Sequence, residues 1–373
     1  MKIGINARFL THPYTGIGQY TRYLLQALGQ ADLKNEYFLF TPELVEVDLP
    51  DHFHQIRIRE AASYSPGWAK AHWEHTLVPQ EMKKEKMDLA HFFYPSNPWV
   101  RLSIPTVVTV HDAIPWRLPA YRQRLRSKLY HFYTRLALKK ADHLITPSQF
   151  SKQEIHHLFK IQDKNITVIP HGLPMYSTLL KPPAVPLRRD FLLYVGGYDD
   201  RKNVPRLMEA FLKHVANTHA VDLILVGGKG KGLESLITGE YAEWVTPAIP
   251  VQPKGQIFFT GPLESHELAA LYGQAKALVH PSFYEGFNLP LVEAMNAGAP
   301  IIAADIPVNR EVTGGAGLFF DPHSTDAIGQ TILKFLSDRR LQQDLAKQGR
   351  EKAQEYSWKK SAEETLNVYN LFT

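Results

Sequence analysis

The sequence predicts an α/β protein built from two doubly wound domains, each with a parallel sheet between layers of helices. Strand-like and helix-like stretches alternate along all 373 residues, which is the order expected of parallel strands joined by helical crossovers. The segment 181–186, KPPAVP, interrupts this alternation, because closely spaced prolines continue neither a helix nor a central strand. We therefore expect one domain over 1–180 and a second over 181–356.

The first domain is expected to contain short apolar strands that alternate with segments of helical pattern. The strands are expected at 2–6, 37–40, 89–92, 106–110, 143–146 and 166–169, and the helices at 20–28, 69–86, 122–141 and 151–159.

The second domain repeats this order. Its strands are expected at 191–195, 221–226, 256–260, 277–280 and 300–304, and its helices begin near 203, 265 and 289 or occupy 325–335 and 341–356. Doubly wound folds bind ligands beyond the carboxyl ends of their strands. We expect the functional site at those ends, in the cleft between the domains.

Composition narrows the class of protein. Apolar residues make up 44% and charged residues 21%, as in ordinary globular chains. The absence of cysteine excludes disulfides, cysteine-bound zinc, iron–sulfur clusters and a thiol nucleophile. The net charge of +5 suits an anionic substrate or a membrane surface but is too weak to indicate nucleic acid. The sequence shows neither a secretion signal nor a run of about 20 apolar residues, so we expect a cytoplasmic protein, with peripheral membrane contact left open.

The densest candidate site is the segment 283–295, FYEGFNLPLVEAM. Pro290 stands where the first turn of a helix tolerates proline, and the free N–H groups of such a helix start can bind phosphate. Glu285 precedes this helix and Glu293 lies about one turn inside it, so the two carboxylates can accept hydrogen bonds from vicinal hydroxyls of a sugar and a ribose. A solvated acid in a turn and a helix-surface acid explain the same spacing.

A second candidate is the segment 194–203, YVGGYDDRKN, at the end of the first strand of the second domain. The glycine pair ending at Gly197 lets a ligand approach the backbone, and Arg201 and Lys202 supply positive charge for a diphosphate. Asn203 is expected to cap the next helix. A solvated charged loop is the alternative interpretation.

Two further candidates lie in the first domain. The loop with Gly16 and Gly18 fails as a dinucleotide fingerprint, because Thr21 stands where a third glycine is needed, but its backbone still suits an anion. His111 and Asp112 follow a strand, where the histidine can hydrogen-bond a sugar hydroxyl. A structural His–Asp pair explains them equally well.

Taken in order, these segments resemble the retaining glycosyltransferases of family 4, the group 1 glycosyltransferases, whose two Rossmann-like domains form the architecture called GT-B. The resemblance covers nearly the whole chain, and its most specific part is the glutamate pair within the context GFNLPLVEAM. Further matching segments are PSQFS at 147–151, IPHG at 169–172, TGPL at 260–263 and GAGLFFDP at 315–322. The resemblance also implies that 357–373 form a helix that crosses back to the first domain.

In that family the second domain binds a nucleotide diphosphosugar and the first binds the acceptor. By position, the resemblance implies that Glu285 contacts the donor sugar, that Glu293 contacts the ribose, and that His111 lies by the transferred sugar. Arg201 and Lys202 then hold the diphosphate. The remaining residues implied in donor binding are Gly16, Gly18, Gly197, Pro262, Leu263, Phe287, Asn288 and Leu289.

One departure from the family pattern is Asn288, which stands where glycine is usual. A side chain that intrudes on the phosphate or sugar there would alter donor choice.

The implied reaction is retaining transfer of a hexose to a hydroxyl of a glycan or lipid-linked acceptor, as in polysaccharide or lipopolysaccharide assembly. Mannose from GDP-mannose is slightly favoured over a UDP-sugar as donor. Protein cations replace a metal, and the sequence has no Asp-x-Asp pattern, so neither a metal nor another cofactor is expected. The alternatives are a GT-B sugar-nucleotide epimerase and a non-catalytic nucleotide-sugar-binding protein.

The segment from Arg117 to Lys140 carries eight basic residues and no acidic one. Within it Leu125, Leu129, Phe132 and Leu136 have helical spacing and are expected to face the core. The basic residues would then form a surface for anionic lipid. A solvated cationic helix is the alternative.

Overall fold

In the computed structural model the chain divides into two compact units. The first contains Met1–Gly172 and Ser357–Thr373, and the second contains Leu173–Tyr356. The proline-rich segment 181–186, and with it the expected boundary at 180/181, lies outside the described residues. The structure describes residues 1–61, 64–118, 121, 125–173, 190–227 and 254–373.

The strands and helices of the described residues alternate in chain order. The strands are β1 Lys2–Asn6, β2 Glu36–Thr41, β3 Phe53–Arg57, β4 Leu89–Phe92, β5 Thr106–Thr109, β6 His143–Thr146, β7 Ile166–Val168, β8 Phe191–Val195, β9 Asp222–Val226, β10 Ile257–Gly261, β11 Ala277–His280, β12 Ile301–Ala304 and β13 Leu318–Phe320. The α-helices are α1 Gly16–Ala31, α2 Pro66–His72, α3 Val78–Lys84, α4 Ile114–Arg117, α5 Leu125–Leu138, α6 Gln149–Phe159, α7 Val204–Ala210, α8 Ser265–Gln274, α9 Leu289–Ala297, α10 Pro307–Thr313, α11 Thr325–Ser337, α12 Arg339–Ala353 and α13 Trp358–Tyr369. One π-helical segment, Trp73–Leu77, joins α2 to α3, and another, Phe211–Val215, extends α7; short 3₁₀ turns occupy Arg8–Thr11, Asp163–Asn165, Asp200–Lys202 and Asn370–Phe372.

The first unit is a seven-stranded parallel sheet in the order β3-β2-β1-β4-β5-β6-β7. Strands β4, β5 and β6 are buried along their whole length, as expected of parallel strands covered on both faces. One cluster of buried side chains joins the sheet to α1 and α13, with Leu24 and Tyr369 among its members. A second cluster joins it to the α2–α3 segment and α6, with Trp73, Met82 and Phe159.

The second unit is a six-stranded parallel sheet in the order β10-β9-β8-β11-β12-β13. Its core joins the strands to α7, the adjoining π segment and α11, with Leu207, Phe211 and Phe335 fully buried. Both sheets therefore have the doubly wound order, in which the chain starts in the middle and reverses direction once.

Four elements of the structure were not expected from the sequence, among them the one-turn helix α4. Strands β3 and β13 lie at the edges of their sheets and are not buried along their whole length. Strand β3, FHQIR, lacks the continuous apolar run of a central strand, and β13, LFF, is only three residues long. Helix α10, PVNREVT, is short and largely polar. Every strand that the sequence did predict is present, with ends that agree within one residue.

The expectation that Leu129, Phe132 and Leu136 face the core is wrong. They are 49%, 55% and 40% exposed, respectively. Among the described side chains of α5, the buried ones are instead Thr134, Ala137 and Leu138, none of which belongs to the predicted stripe. The apolar stripe has the predicted spacing but faces solvent. The side chain of Leu125 lies outside the described residues.

Candidate functional site

The candidate site of the second unit lies at the carboxyl ends of β8 and β11, two neighbouring strands in the middle of the sheet. The chain leaves β8 toward α7 and leaves β11 toward α9, and the strand order reverses between them. Such a reversal opens a crevice where doubly wound proteins bind ligands. The two segments that the sequence singled out, 194–203 and 283–295, meet here.

Three charged side chains converge at this point. Arg201 Nη1 donates to Glu285 Oε2 and Lys202 Nζ donates to Glu285 Oε1, both at 2.7 Å. All three side chains are between 9% and 13% exposed. Arg201 Nη1 also donates to the carbonyl of Tyr284, at 3.1 Å, and Arg201 Nε lies 3.4 Å from the more exposed Asp199. The ion pairs tie the loop after β8 to the loop after β11.

Glu285 is ionised in this environment. Burial by itself would raise the pKa of Glu285, but Lys202, a hydrogen bond from His280 and Arg201 together hold it well below its usual range. Burial lowers the pKa of His280, so this ring is neutral. Its Nε2 lies 3.3 Å from Glu285 Oε1 and 2.9 Å from Ser282 Oγ. Since the carboxylate can only accept, Nε2 carries the ring proton, and Glu285 serves as an acceptor rather than as an acid.

Asn203 connects the same loops through its side chain. Its backbone has φ 56°, in the left-handed region that asparagine tolerates better than most residues. Its Nδ2 donates to the carbonyls of Pro281, at 3.1 Å, and Pro322, at 2.8 Å. The expectation of a side-chain cap is therefore wrong, because no cap bond forms at the start of α7.

Asn288 immediately precedes α9 and also has a positive φ, 75°. This conformation is the one that glycine adopts without strain, which accounts physically for glycine as the usual residue of the resembling family. Here Asn288 Nδ2 donates to Asn309 Oδ1 at 2.8 Å, and Asn309 Nδ2 donates to the carbonyl of Ala304 at 2.9 Å. The side chain of Asn288 is thereby held by the start of α10.

Helix α9 carries the second glutamate. Glu293 is 5% exposed and accepts a hydrogen bond from the hydroxyl of Tyr272 at 2.7 Å. Phe287, just before the helix, is buried with its ring edge-on to Tyr356, and Leu289 is the first helical residue. Because Glu285 and Glu293 are both buried, neither is the solvated acid that the sequence left as an alternative.

The resemblance implies further residues of the second unit in binding the donor sugar nucleotide, and these follow the carboxyl ends of strands in the same sheet. The carbonyl of Gly197 accepts from the hydroxyl of Tyr194 at 2.5 Å. Pro262 and Leu263 follow β10, two strands from β8. The structure thus brings Arg201, Lys202 and Glu285 into direct contact, and the roles of the other residues in donor binding stay predictions.

His111 lies at the carboxyl end of β5 in the first unit. Its Nε2 is 2.8 Å from the carbonyl of Phe93, so Nε2 carries a proton and donates. Burial lowers the pKa of His111 to about 4. The neutral ring therefore presents Nδ1 as an acceptor, which is the property a sugar hydroxyl requires.

An aromatic group surrounds this histidine. The ring of Tyr20 lies 4.6 Å from His111, 5.0 Å from His171 and 5.9 Å from Trp358 of α13. Burial also lowers the pKa of His171 well below its usual value and that of His91 to about 3. These histidine rings are thus neutral.

Gly16 and Gly18 form the first turn of α1. The N–H of Gly18 donates to Thr15 Oγ1 at 3.0 Å, and a side chain at Gly18 would meet the carbonyl oxygen of His12 at 2.0 Å. Close packing against His12 therefore explains Gly18 without an anion. The role of this loop in donor binding remains a prediction.

Sequence reasoning missed several residues of these sites. His280 is a polar residue inside an otherwise apolar buried strand, a signal that the sequence did contain. Tyr272 and Asn309 act through contacts with Glu293 and Asn288, which no local pattern reveals.

Neither a metal centre nor a membrane span is found in the part of the chain that the structure describes. Across those residues no group of three or more His, Asp or Glu side chains is placed to hold a metal ion. None of the helices there combines the length and apolarity needed to cross a bilayer.

Two family models match the chain. The one described as Glycosyltransferase Family 4 matches residues 14–175, and the one described as Glycosyl transferases group 1 matches residues 177–352. The chain belongs to this family of glycosyltransferases. The resemblance inferred from the glutamate pair and its context is thereby confirmed.

Curated relatives of this glycosyltransferase include two mannosyltransferases. The O-antigen chain mannosyltransferase B of Escherichia coli is 27% identical over 390 residues, with 100% of both chains covered. The O-antigen chain mannosyltransferase RfbU of Salmonella typhimurium is 28% identical over 217 residues, covering 58% of this chain and 56% of its own.

Solved structures confirm the GT-B fold. A sucrose-phosphate synthase from Thermosynechococcus elongatus has a TM-score of 0.77 at 23% identity, covering 100% of this chain and 98% of its own. WaaG, a glycosyltransferase involved in lipopolysaccharide biosynthesis, has a TM-score of 0.74 at 17% identity and 99% coverage of both chains.

Proposed function

We propose that this glycosyltransferase moves mannose from GDP-mannose to a hydroxyl of a glycan or lipid-linked acceptor, with retention of configuration and without a metal. The observation that carries the proposal is the convergence of Arg201 and Lys202 on Glu285, beside the start of α9. Mannose is favoured because two relatives are O-antigen mannosyltransferases.

The leaving nucleotide is stabilised by positive charge. As the bond between the anomeric carbon and the diphosphate breaks, negative charge gathers on the departing phosphate, and the two cations and the N–H groups at the start of α9 stabilise it. A diphosphate competes with Glu285 for the N–H groups of Arg201 and Lys202. The oxygens of Glu285 then accept hydrogen bonds from the donor sugar.

Glu285 is a poor nucleophile in this setting. Its carboxylate is paired with two cations at 2.7 Å, and this pairing lowers its reactivity toward carbon. We therefore assign the chemistry to a same-face attack. The acceptor oxygen bonds to the anomeric carbon, the bond to phosphate oxygen breaks, and the acceptor proton passes to the leaving phosphate. On the first unit, His111 offers Nδ1 to a hydroxyl of the sugar substrate.

Donor choice is tested by a thermal-shift screen of GDP-, UDP- and ADP-sugars, because a bound ligand raises apparent stability by mass action. We expect GDP-mannose to give the largest shift. Product analysis then separates the reaction classes. A transferase releases free nucleotide in proportion to added glycan acceptor, whereas an epimerase interconverts sugars without one, and a silent binding protein does neither.

The two glutamates should differ in their effects when replaced. Glu285→Gln is expected to lower kcat more than nucleotide affinity, because its oxygens face the reacting sugar. Glu293→Gln is expected to weaken nucleotide binding by about 1–3 kcal/mol, the scale of a lost charged hydrogen bond. Isothermal titration and steady-state kinetics measure both effects, with the exposed Glu355→Gln as control. Wild-type turnover in Glu285→Gln would contradict the assignment.

We also propose that the exposed stripe of α5 binds the cytoplasmic face of an anionic membrane. Leu129, Phe132 and Leu136 face solvent beside the exposed Lys128 and Lys139, so the surface combines apolar contact with positive charge. Of the other basic residues expected here, Arg117 pairs with Glu154 and Lys140 donates to the carbonyl of Trp99, whereas Arg122, Arg124 and the side chain of Arg126 lie outside the described residues.

Vesicle binding tests this surface. Each lysine near an anionic surface contributes about 1 kcal/mol, so binding to vesicles with anionic lipid should weaken in Lys128→Gln/Lys139→Gln and fade as salt rises. Phe132→Ser should weaken it independently of salt. If the wild-type chain ignores such vesicles at low salt, a soluble acceptor becomes the better proposal.

A further inference from the structure

An open groove with a cavity of about 500 Å³ lies on the first unit, on and beside α2 and the adjoining π segment. The loop after β4 supplies its other wall. The groove is lined by Tyr64, Trp68, Ala71, His72, His75, Thr76, Trp99 and Val100.

The lining is aromatic rather than aliphatic. Five of the eight lining residues carry a ring with a nitrogen or a hydroxyl on it, and Trp68 is 63% exposed. His75 stacks on Trp99 with ring centroids 4.4 Å apart, and Trp99 in turn lies 5.1 Å from Tyr133 of α5. Rings of this kind offer a flat apolar face together with a polar edge.

The lining also lacks side chains with a permanent charge. It includes no carboxylate, lysine or arginine, and burial lowers the pKa of His75 to about 4, so this ring is neutral. A groove of this composition suits an uncharged ligand better than a phosphate or a peptide terminus.

Three ring nitrogens in the lining are buried without a hydrogen bond among the described residues: His72 Nδ1, His75 Nε2 and Trp99 Nε1. His75 Nδ1 lies 3.2 Å from the carbonyl of Asn97, so it donates, and Nε2 is left as an acceptor. Trp99 Nε1 can only donate. Buried polar atoms without partners are costly, and a hydroxyl, which both donates and accepts, offers a partner to either of the two.

The groove and the site around His111 share one segment of the chain, the one that follows β4. Trp99 and Asn97 belong to the segment that follows β4, and Phe93, whose carbonyl accepts from His111, begins that segment. Through Tyr133 the groove also adjoins the exposed stripe of α5.

We propose that this groove binds the saccharide part of the acceptor, with the C–H face of a neutral pyranose against Trp68 and its hydroxyls at His75 and Trp99. The inference rests on the proposed transfer to a glycan and names where the glycan is held on the first unit. An acyl chain is the competing occupant, and it would leave all three nitrogens without partners.

The test is a calorimetric titration of the full chain with α-linked mannotetraose in the absence of any nucleotide sugar. We expect binding that Trp68→Ala weakens at least tenfold. Trp99→Phe, which keeps a ring but removes the indole N–H, should weaken it at least threefold. Leu44→Ala is the control, because Leu44 is 66% exposed and does not line the groove. Since Trp68 is also well exposed, its replacement should leave the unfolding midpoint unchanged.

The outcomes separate this inference from the proposed function. Absence of oligosaccharide binding, or equal binding by Trp68→Ala and the wild type, overturns the inference even if sugar transfer is observed. Tight binding of octyl phosphate that is lost in Trp68→Ala, without oligosaccharide binding, identifies an acyl-chain groove instead. Oligosaccharide binding without transfer from any nucleotide sugar supports the groove and contradicts the proposed function.

Discussion

The two sheets have equivalent strand orders, but the side chains at the carboxyl ends of their strands differ in charge. In the second unit, the edge at β8 and β11 holds the ions of Arg201, Lys202 and Glu285 in direct contact. In the first unit, uncharged rings lie beyond β5 and β7, with His111 and His171 packed around Tyr20, whereas an ion pair between Arg8 and Glu60 lies beyond β1.

The difference in charge depends on which groups contact each buried side chain. Burial lowers the pKa of His111 to about 4 because no carboxylate compensates the lost hydration. Glu285 is buried as well, but two cations and a hydrogen bond keep it ionised. The rings beyond β5 and β7 are therefore suited to hydroxyls, and the charged edge at β8 and β11 is suited to a polyanion.

Removing a cation from the charged edge should have the largest effect. Lys202→Ala is expected to cost roughly 2–4 kcal/mol of transition-state stabilisation, the scale of one oxyanion contact, which appears as a loss in kcat/KM. Arg201→Ala should cost less if it mainly docks the diphosphate. Lys213→Ala is the matched control, since Lys213 forms an exposed ion pair with Asp326 in the same unit. Unchanged kcat/KM in Lys202→Ala would show that the charged edge does not carry the chemistry.

As pH falls, the first unit should lose stability before the second. Folded His91 and His111 have pKa values of about 3 and 4, whereas unfolded histidine titrates near 6.5. The unfolded state therefore binds more protons as pH falls from about 7 to 4, and each such group removes roughly 2 kcal/mol of stability by pH 5. Burial also lowers the pKa of His280 in the second unit, but the first unit has more such histidines, namely His75, His91, His111 and His171. Because the pKa of Glu285 is depressed, its contribution to the second unit is lost only below about pH 4.

Chemical denaturation at pH 7 and pH 5 measures this effect. Tryptophan fluorescence reports mainly on the first unit, which contains Trp68, Trp73, Trp99, Trp116 and Trp358. Hydrogen exchange followed by mass spectrometry resolves the second unit as the internal reference. Earlier acid destabilisation of the second unit would contradict the contrast drawn here.

The smallest expected effect is that of metal removal. If Arg201 and Lys202 supply the positive charge at the leaving phosphate, EDTA should leave turnover unchanged, and added magnesium or manganese should alter it less than about twofold. A strict metal requirement would mean that the charged edge is incomplete without an ion, and it would overturn the proposed metal-free chemistry.

The central strands and the edge strands β7 and β10 could be predicted from the sequence, but the edge strands β3 and β13 could not. Strands such as β8 and β11 are buried on both faces and so appear as continuous apolar runs. Edge strand β3 is only partly buried along its length, which leaves no such signal. The direction of the α5 stripe could not be predicted either, because spacing defines a helix face but not which neighbour covers it.

For the candidate site, the sequence identified the charged residues but not their mutual contacts. Arg201, Lys202 and Glu285 were recognisable because they stand in loops after strands. Their pairing across 83 to 84 residues of chain depends on β8 and β11 being neighbours. The ties from Asn203 to Pro281 and Pro322 are equally long-range and leave no local pattern.

The discontinuity of the first unit has a consequence for how the chain folds during synthesis. Helix α13 packs in the same buried cluster as α1 and β1, and a side chain at Gly172 would meet the backbone nitrogen of Trp358 at 2.1 Å. The core of the first unit closes only after residues 357–373 have left the ribosome, and by then Leu173–Tyr356 are complete. Domains usually fold from the N-terminus onward, but here the later unit can finish first, and a nascent chain that ends early exposes the apolar face of α1.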